Sequence, residues 1–400
     1  MTVPGQNPPF ADVPRAVLRL RPDNLVERPW GGVRLFDFKR LGAPPPGRLF
    51  GESFEVAADP EDPEAAAHPS VVVMPDGSAA LLVDLLRAAP EAILGRKHAT
   101  AHGPRIPLLP KFLDVREILS VQTHPPGNPE AYVIIRADPG ATIRLGFRHD
   151  VDLAGFGEQL RAGRRAQERL LALVPDPTRL QARLGPWLAT QPESASALAR
   201  DLAPGAALRV EPLLRELAKI CRSALDALNK IPVAPGQVIL NATPDGHSAD
   251  VHALGNPEGR GMLMFEVRRT GPTFRLWDHV RVPLRPLDID RALATVDGRR
   301  RDPASFFVVP QSVGPGILRS VDCHAFAAVH LRPRPGARIS RPPTQGLRTV
   351  HVLSGAVVVD PGSTALGRGE SAIIPAALDG YDVVAIDPDS EVLEVSASAR

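Results

Sequence analysis

Apolar residues along this chain follow two rhythms, and the change from one to the other marks its organisation. From about residue 15 to 149 they come in short runs broken by Gly, Pro and Asp, the pattern of strands joined by tight turns. In Ile118-Leu-Ser-Val-Gln-Thr-His124 a period of two puts Ile118, Ser120, Gln122 and His124 on one face. AYVIIR (131–136) and ATIRLGF (141–147) read as the next strands, with an Asp-Pro-Gly turn between them. Between 150 and 230 the spacing lengthens. Leu214, Leu217, Cys221, Leu225 and Leu228 recur every three or four residues and predict an amphipathic helix over 211–229. The stretches 157–174 and 195–202 read the same way. Strand signals return over 231–244, 261–267 and 273–277, fade near 300, and recur in FAAVHLRP, TVHVLSGAVVVD, SAIIPA and VVAIDP.

The expected layout is a first all-β unit at 15–149 plus 231–300, interrupted by a helical insertion at 150–230 and followed by a second β unit at 305–400. Residues before 15 are polar and proline-rich, a lead-in. No repeat of 20 to 50 residues is present. The 44 prolines and 33 glycines suit many short strands. With 400 residues the chain exceeds what one core usually holds, which agrees with more than one unit.

Composition mostly removes possibilities. Hydrophobic residues at 44% and charged residues at 23% are ordinary for a globular protein and exclude general disorder. The 47 basic and 45 acidic residues nearly cancel, so there is no electrostatic case for nucleic acid or a membrane surface. Only five of the basic residues are lysines, which we read as genome composition. The cluster LRAGRRAQER is diluted by acids and reads as a solvated helix face. Cys221 and Cys323 show neither a disulfide framework nor a thiolate metal site. No stretch is apolar enough for a signal sequence or a bilayer span, so a reduced cytoplasmic setting is the expectation.

Candidate chemistry comes from three separated pieces. Gln122-Thr-His124 presents an amide and an imidazole on one face of a strand. Glu130 follows a Pro-Pro-Gly-Asn-Pro turn, and a hairpin there would bring it beside His124. The third piece runs from Pro244-Asp-Gly246 to His252 and Asn256. A single His or Glu is ordinarily structural, but these pieces together form a stretched version of the two metal motifs of the cupin barrel. Gln122 stands in place of the first His. His247 competes with His252 as the last ligand, and His252 is preferred because its distance to Asn256 keeps the motif's spacing. Two imidazoles, a carboxylate and an amide suit a borderline dication such as Zn²⁺. The fold class expected is therefore mainly β, with two cupin-like jelly-roll barrels and an α-helical insertion in the first.

The resemblance then narrows. PLLPKFLDVREILSVQTHPP (107–126) resembles the signature of type I phosphomannose isomerases, and Glu130-Ala-Tyr-Val-Ile-Ile is similar to the strand carrying their carboxylate ligand. Residues 251–281 resemble the family's segment from His-Ala to Thr-Tyr-Arg and beyond. ERPWGGVRL (27–35) and GESFEV (51–56) match its N-terminal pieces. The likeness spans about 27 to 285, without most of the helical stretch. It implies a zinc-dependent isomerase interconverting mannose 6-phosphate and fructose 6-phosphate, a sugar-phosphate substrate, one zinc per chain, and a monomer or homodimer. It implies Gln122, His124, Glu130 and His252 as ligands, with Arg275 and Lys111 as catalytic residues. Arg281 and Ser120 are candidates for substrate contacts, and Trp30 either walls the pocket or is a buried turn residue. Glu52 and Glu55 are read as structural.

Several departures bear on this reading. Glu266-Val-Arg-Arg-Thr-Gly-Pro replaces the family's acid-containing loop before Arg275 and is one residue shorter, so no carboxylate base comes from there. The family's two tyrosines are Phe274 and Trp277 here. In the C-terminal unit Tyr381 stands where a ligand His is expected and only His351 remains, which predicts a metal-free barrel. The altered loop supports, as alternatives, a non-catalytic cupin that binds a sugar phosphate. A redox-metal oxygenase is disfavoured by the missing His-x-His pair.

Overall fold

The computed structural model describes residues 15–398 except Pro75, Pro192, Val280, Thr344 and Gln345. The expected lead-in lies outside these residues. The chain is mainly β, built as two barrel-like sandwiches. In the first, a five-stranded sheet runs in the order 228–232, 142–147, 252–253, 121–123 and 274–277. It faces a seven-stranded sheet ordered 307–308, 238–241, 130–137, 262–268, 111–115, 50–54 and 25–32. Alternate side chains from both fill the space between them: Leu113, Val115, Tyr132 and Ile134 from one, Ile143, Leu145 and Ile231 from the other.

The second sandwich pairs a seven-stranded sheet with a four-stranded one over residues 311–397. Its larger sheet lies against the larger sheet of the first. Phe112, Val133, Leu263 and Phe265 share a core with Val321, Phe326, Ile373 and Leu393. Burial on both faces explains why Met262-Leu-Met-Phe-Glu-Val reads as a continuous apolar run rather than an alternation. One strand crosses the expected division. Leu18–Arg19 pairs with Ala372 and Ile373 of the second sandwich, so the chain begins in one sheet system and continues in the other.

Four helices stand between the strands 142–147 and 228–232: Leu153–Leu173, Pro177–Thr190, Ala195–Leu202 and Ala207–Asp226. They cover the outer face of the five-stranded sheet, where Val121, Phe147, Val251 and Trp277 meet Leu160, Leu217 and Cys221. The second helix was not expected, because Gly185 and Pro186 interrupt its pattern. Its start is nonetheless written in the sequence: Asp176 caps the Arg179 amide and Pro177 occupies the first turn. The last helix ends at Asp226, and Leu228 belongs to the following strand, so its apolar side chain serves the sheet and not the helix. The stretch expected to be β throughout also contains short helices at Leu82–Ala88, Pro90–Leu94 and Arg96–His102, whose Leu85, Leu86, Ile93 and Leu94 join the shared core.

Candidate metal centre

Strand pairing explains how residues 130 positions apart meet. His252 is directly opposite Gln122 in the five-stranded sheet. Glu130 opens the strand Glu130–Ala137, which pairs with 238–241 and 262–268 in the seven-stranded sheet. The expected hairpin with 121–123 is therefore not formed. The Pro125–Pro129 turn instead carries the chain from one sheet to the other, and Glu130 faces His124 across the interior.

His124, Glu130 and His252 are each 1% exposed and their ligating atoms lie within 4.8 Å of one another. His124 Nε2 is 2.7 Å from Glu130 Oε1 and His252 Nε2 is 3.2 Å from Glu130 Oε2. The first pair is out of hydrogen-bonding geometry, and both atoms are buried without a hydrogen-bond partner among the described residues. Their opposite ring nitrogens are occupied. His124 Nδ1 donates to the Pro272 carbonyl at 3.3 Å, and His252 Nδ1 to the Asp250 carbonyl at 2.9 Å. Each Nε2 thus turns a lone pair inward, the arrangement by which backbone acceptors orient metal-binding imidazoles. Burial lowers the His124 pKa and keeps the ring neutral, as a ligand must be. Burial opposes the charge on Glu130, but the facing imidazoles, when they carry a proton, and Arg268 hold its pKa well below the usual carboxylate range. Gln122 is half-buried, its amide 3.2 Å from His252 Nε2. Ser120 Oγ donates to Gln122 Oε1 at 2.7 Å. A half-turn of that amide would present its oxygen to the same point. These donors fit a divalent ion.

Glu130 is also supported from behind. The Tyr132 hydroxyl donates to its Oε2, and Asn241 Nδ2 reaches the same oxygen at 3.2 Å. Neither partner was expected. Tyr132 could have been found, since it lies two residues after Glu130 on one strand face. Asn241 comes from another strand whose register the sequence does not reveal.

The other expected residues separate. Arg275 is directly opposite Gln122 on the next strand and half-buried. Among the described residues it makes no ion pair within 4.0 Å, and its Nε has no acceptor. Burial and the nearby Arg285 both lower its pKa, against the pull of the more distant Asp278, Glu64 and Asp288. Lys111 is placed otherwise than expected for a catalytic group: its Nζ sits 2.9 Å from Glu52 and 2.9 Å from Glu266. Burial disfavours its charge, but Glu266 and Glu52 outweigh burial and raise its pKa, so it is a committed cation and not a base. Arg281 is likewise unavailable for substrate. It is 6% exposed and donates to Asp278 and to the Ile118 carbonyl. Trp30 is 3% exposed and packed with Leu113, Val115 and Tyr132. The following Gly31 is required there, because a Cβ would meet the Gly51 nitrogen at 2.4 Å. His247 is exposed and stacks on His324, away from the cluster. In the second sandwich, Tyr381 donates to Glu394. His351 is held between Thr349 and Ser371 at 2.9 and 2.8 Å.

Glu52 and Glu55, read as structural, are both buried. Glu52 binds Lys111 and Arg28, while Glu55 accepts from Lys39, Ser53 and Ser371. The Ser371 contact joins the two sandwiches.

No protein-family model matches the chain. Over 104 residues it is 35% identical to mannose-6-phosphate isomerase of Ogataea parapolymorpha, and the chain spans about a quarter of the length of that curated relative. Two similar solved structures cover nearly everything. Mannose 6-phosphate isomerase from Bacillus subtilis aligns with a TM-score of 0.64 and 18% identity, over 95% of this chain and 99% of that one. A variant of phosphomannose isomerase from Salmonella typhimurium aligns with a TM-score of 0.63 and 17% identity, over 95% of this chain and 99% of the other. Along almost its whole length the chain has the fold of the mannose-6-phosphate isomerases.

Proposed function

We propose that this protein is an aldose–ketose isomerase that interconverts mannose 6-phosphate and fructose 6-phosphate and uses one zinc ion per chain. The observation that carries the reading is the convergence of His124, Glu130 and His252, all buried and with their ligating atoms within 4.8 Å of one another, inside this fold. His124, Glu130 and His252, with Gln122 as the fourth, would hold the ion. Two nitrogens and two oxygens are a donor set that Zn²⁺ accepts. When bound, the ion would supply a fixed positive charge and Lewis acidity beside the sugar oxygens.

The chain's own residues account for the rest. Proton transfer between C1 and C2 passes through an enediolate, whose oxygens need a cation already in place. Arg275 is such a cation: among the described residues no carboxylate lies within 4.0 Å of it, Asp278, Glu64 and Asp288 act on it only from farther away, and partial burial strengthens its field. Its planar fork suits two oxygens of a phosphate or of the enediolate. Tyr132 and Asn241 keep Glu130 in place, and after the half-turn of the Gln122 amide the Ser120 hydroxyl would accept from its nitrogen instead of donating to its oxygen.

The test is a coupled isomerase assay on mannose 6-phosphate, with metal analysis of the same sample. Turnover should be lost with a chelator, restored by Zn²⁺, and absent in His252→Ala and Gln122→Ala. Full turnover in metal-free protein would refute the metal reading. Zinc-loaded protein that binds mannose 6-phosphate without turning it over would favour the non-catalytic alternative, for which the altered loop at 267–272 speaks.

A further inference from the structure

Arg268 is the most buried arginine among the described residues, 2% exposed, and it lies on the strand partner of Glu130. Its Nε is 3.9 Å from Glu130 Oε1 and 3.8 Å from Glu266. Its Nη1 donates to the carbonyls of Arg269 at 2.9 Å and Gly271 at 3.1 Å. One guanidinium thus faces the Glu130 carboxylate at 3.9 Å and also pins the 269–272 turn. That turn supplies the Pro272 carbonyl that receives His124 Nδ1. The same turn is tied to the segment before Glu130 by a reciprocal pair: Asn128 Nδ2 donates to the Arg269 carbonyl at 3.0 Å, and the Arg269 amide donates to Asn128 Oδ1 at 2.8 Å. Asp62 accepts from the Gly271 amide at 2.7 Å on its far side.

We propose that Arg268 is a positioning residue for the metal centre: its fork, together with Asn128, sets the turn that fixes the ring of His124 and the place of Glu130. This rests on the metal reading above and goes beyond it in naming what holds the ligands. The geometry distinguishes it from a simple counter-ion. A counter-ion needs only charge near Glu130, which lysine would supply. Holding two carbonyls of one turn while facing a carboxylate needs several donors in fixed directions, which lysine does not offer.

Two further considerations sharpen the proposal. As a bare charge, Arg268 would repel a dication at the site and compete with it for Glu130 Oε1. Removing the charge alone should then tighten metal binding. Losing the turn should do the opposite, because outer contacts of ligating groups contribute roughly 10–100-fold to metal affinity. The sign of the change therefore separates the two roles.

The experiment measures Zn²⁺ affinity of full-length protein by competition with a chromophoric chelator, and the His124 tautomer in metal-free protein by imidazole ¹⁵N NMR. Wild type should show a fixed Nδ1–H tautomer at His124. Both Arg268→Lys and Arg268→Gln should lose about 10–100-fold in Zn²⁺ affinity and show exchange between tautomers. Asn128→Ala, which leaves every buried charge in place, should shift both readouts in the same direction and guards against a misfolded Arg268 variant. Wild-type affinity with a fixed tautomer in Arg268→Lys would overturn the proposal, as would tighter Zn²⁺ binding by Arg268→Gln. Failure of wild type to bind Zn²⁺ would refute the metal reading instead, and the tautomer measurement would still decide whether Arg268 positions the ring.

Discussion

Replacing Lys111 with methionine tests whether the lysine acts on substrate or holds the fold together. Its Nζ is 2.9 Å from each of two buried carboxylates, Glu52 and Glu266. At an effective dielectric of about 20, each contact carries roughly 6 kcal/mol of attraction, most of which is cancelled by the desolvation of the partners. Losing the lysine leaves Glu266 with Arg268 at 3.8 Å as its remaining cation, while Glu52 keeps Arg28. Breaking a buried pair from one side typically costs about 3–5 kcal/mol. With an unfolding entropy of about 2 cal/mol/K per residue, a cooperative chain of this size loses about 1 °C in midpoint per kcal/mol. Lys111→Met should therefore melt about 4–6 °C lower by calorimetry. Its kcat per folded molecule should stay within about tenfold of wild type, because nothing Lys111 touches belongs to the substrate side. Adding Glu266→Gln removes the stranded carboxylate and should recover at least half of the lost stability. A variant that melts like wild type yet loses more than a hundredfold in kcat would refute this and return Lys111 to the chemistry.

Three other outcomes follow from the same geometry. Arg275→Gln should keep its Zn²⁺ content while kcat/KM for mannose 6-phosphate falls about 10²–10³-fold, the usual effect of removing one donor from a charge-stabilising site; unchanged kinetics would exclude it from the site. His247→Ala should change neither Zn²⁺ content nor turnover, since the ring is exposed and stacked on His324; a loss of bound metal would show that the ligand set is wrong. Burial raises Asp114 from 3.8 to about 6, against the pull of the Arg34 and Leu35 amides. An acid with a raised folded pKa binds a proton on folding, so its contribution falls by about 3 kcal/mol as pH rises from about 4 through 6. Asp114→Asn should gain on wild type across that window in urea midpoints, and a constant difference would exonerate Asp114.

What the sequence made legible depends on the range of the interaction. The period-two face of Gln122 and His124, the carboxylate at Glu130 and the imidazole at His252 could be read because ligand chemistry restricts residue type. Their meeting could not, because it depends on which strands pair. Glu130 reaches His124 by crossing between sheets and not through a hairpin, and both routes leave the same local pattern. Helices with clean apolar periodicity were legible. Pro177–Thr190 was hidden by Gly185 and Pro186, although its Asp-Pro start was visible. Burial reversed the remaining expectations. Lys111 and Arg281 have the residue types a phosphate needs, but Lys111 is held by Glu52 and Glu266 from other strands, and Arg281 is buried against Asp278 three residues before it. Arg275 and Arg281 are alike in sequence context, and only the absence of a partner separates the first from the second.

That separation follows from how the interior handles charge. Glu52, Glu130 and Glu266 are all buried, and so are Lys111 and Arg268, with Arg28 at the edge of the group. Three carboxylates could not remain ionised there alone, because isolated charge in a poorly polarisable interior costs more than protonation. The alternating arrangement solves this locally: Arg28 against Glu52, Lys111 between Glu52 and Glu266, Arg268 between Glu266 and Glu130. The ligating carboxylate is consequently ionised before any cation binds at the site. Glu64, 3.1 Å from Arg28 and 4.0 Å from Arg268, makes a fourth carboxylate against three cations, so a dication received by Glu130 and two neutral imidazoles would leave a smaller positive surplus, to which Arg275 would add. An anionic sugar derivative is the kind of ligand that such a surplus draws in. The lysine and arginines of the ladder already face carboxylates, whereas Arg275 has none within 4.0 Å among the described residues.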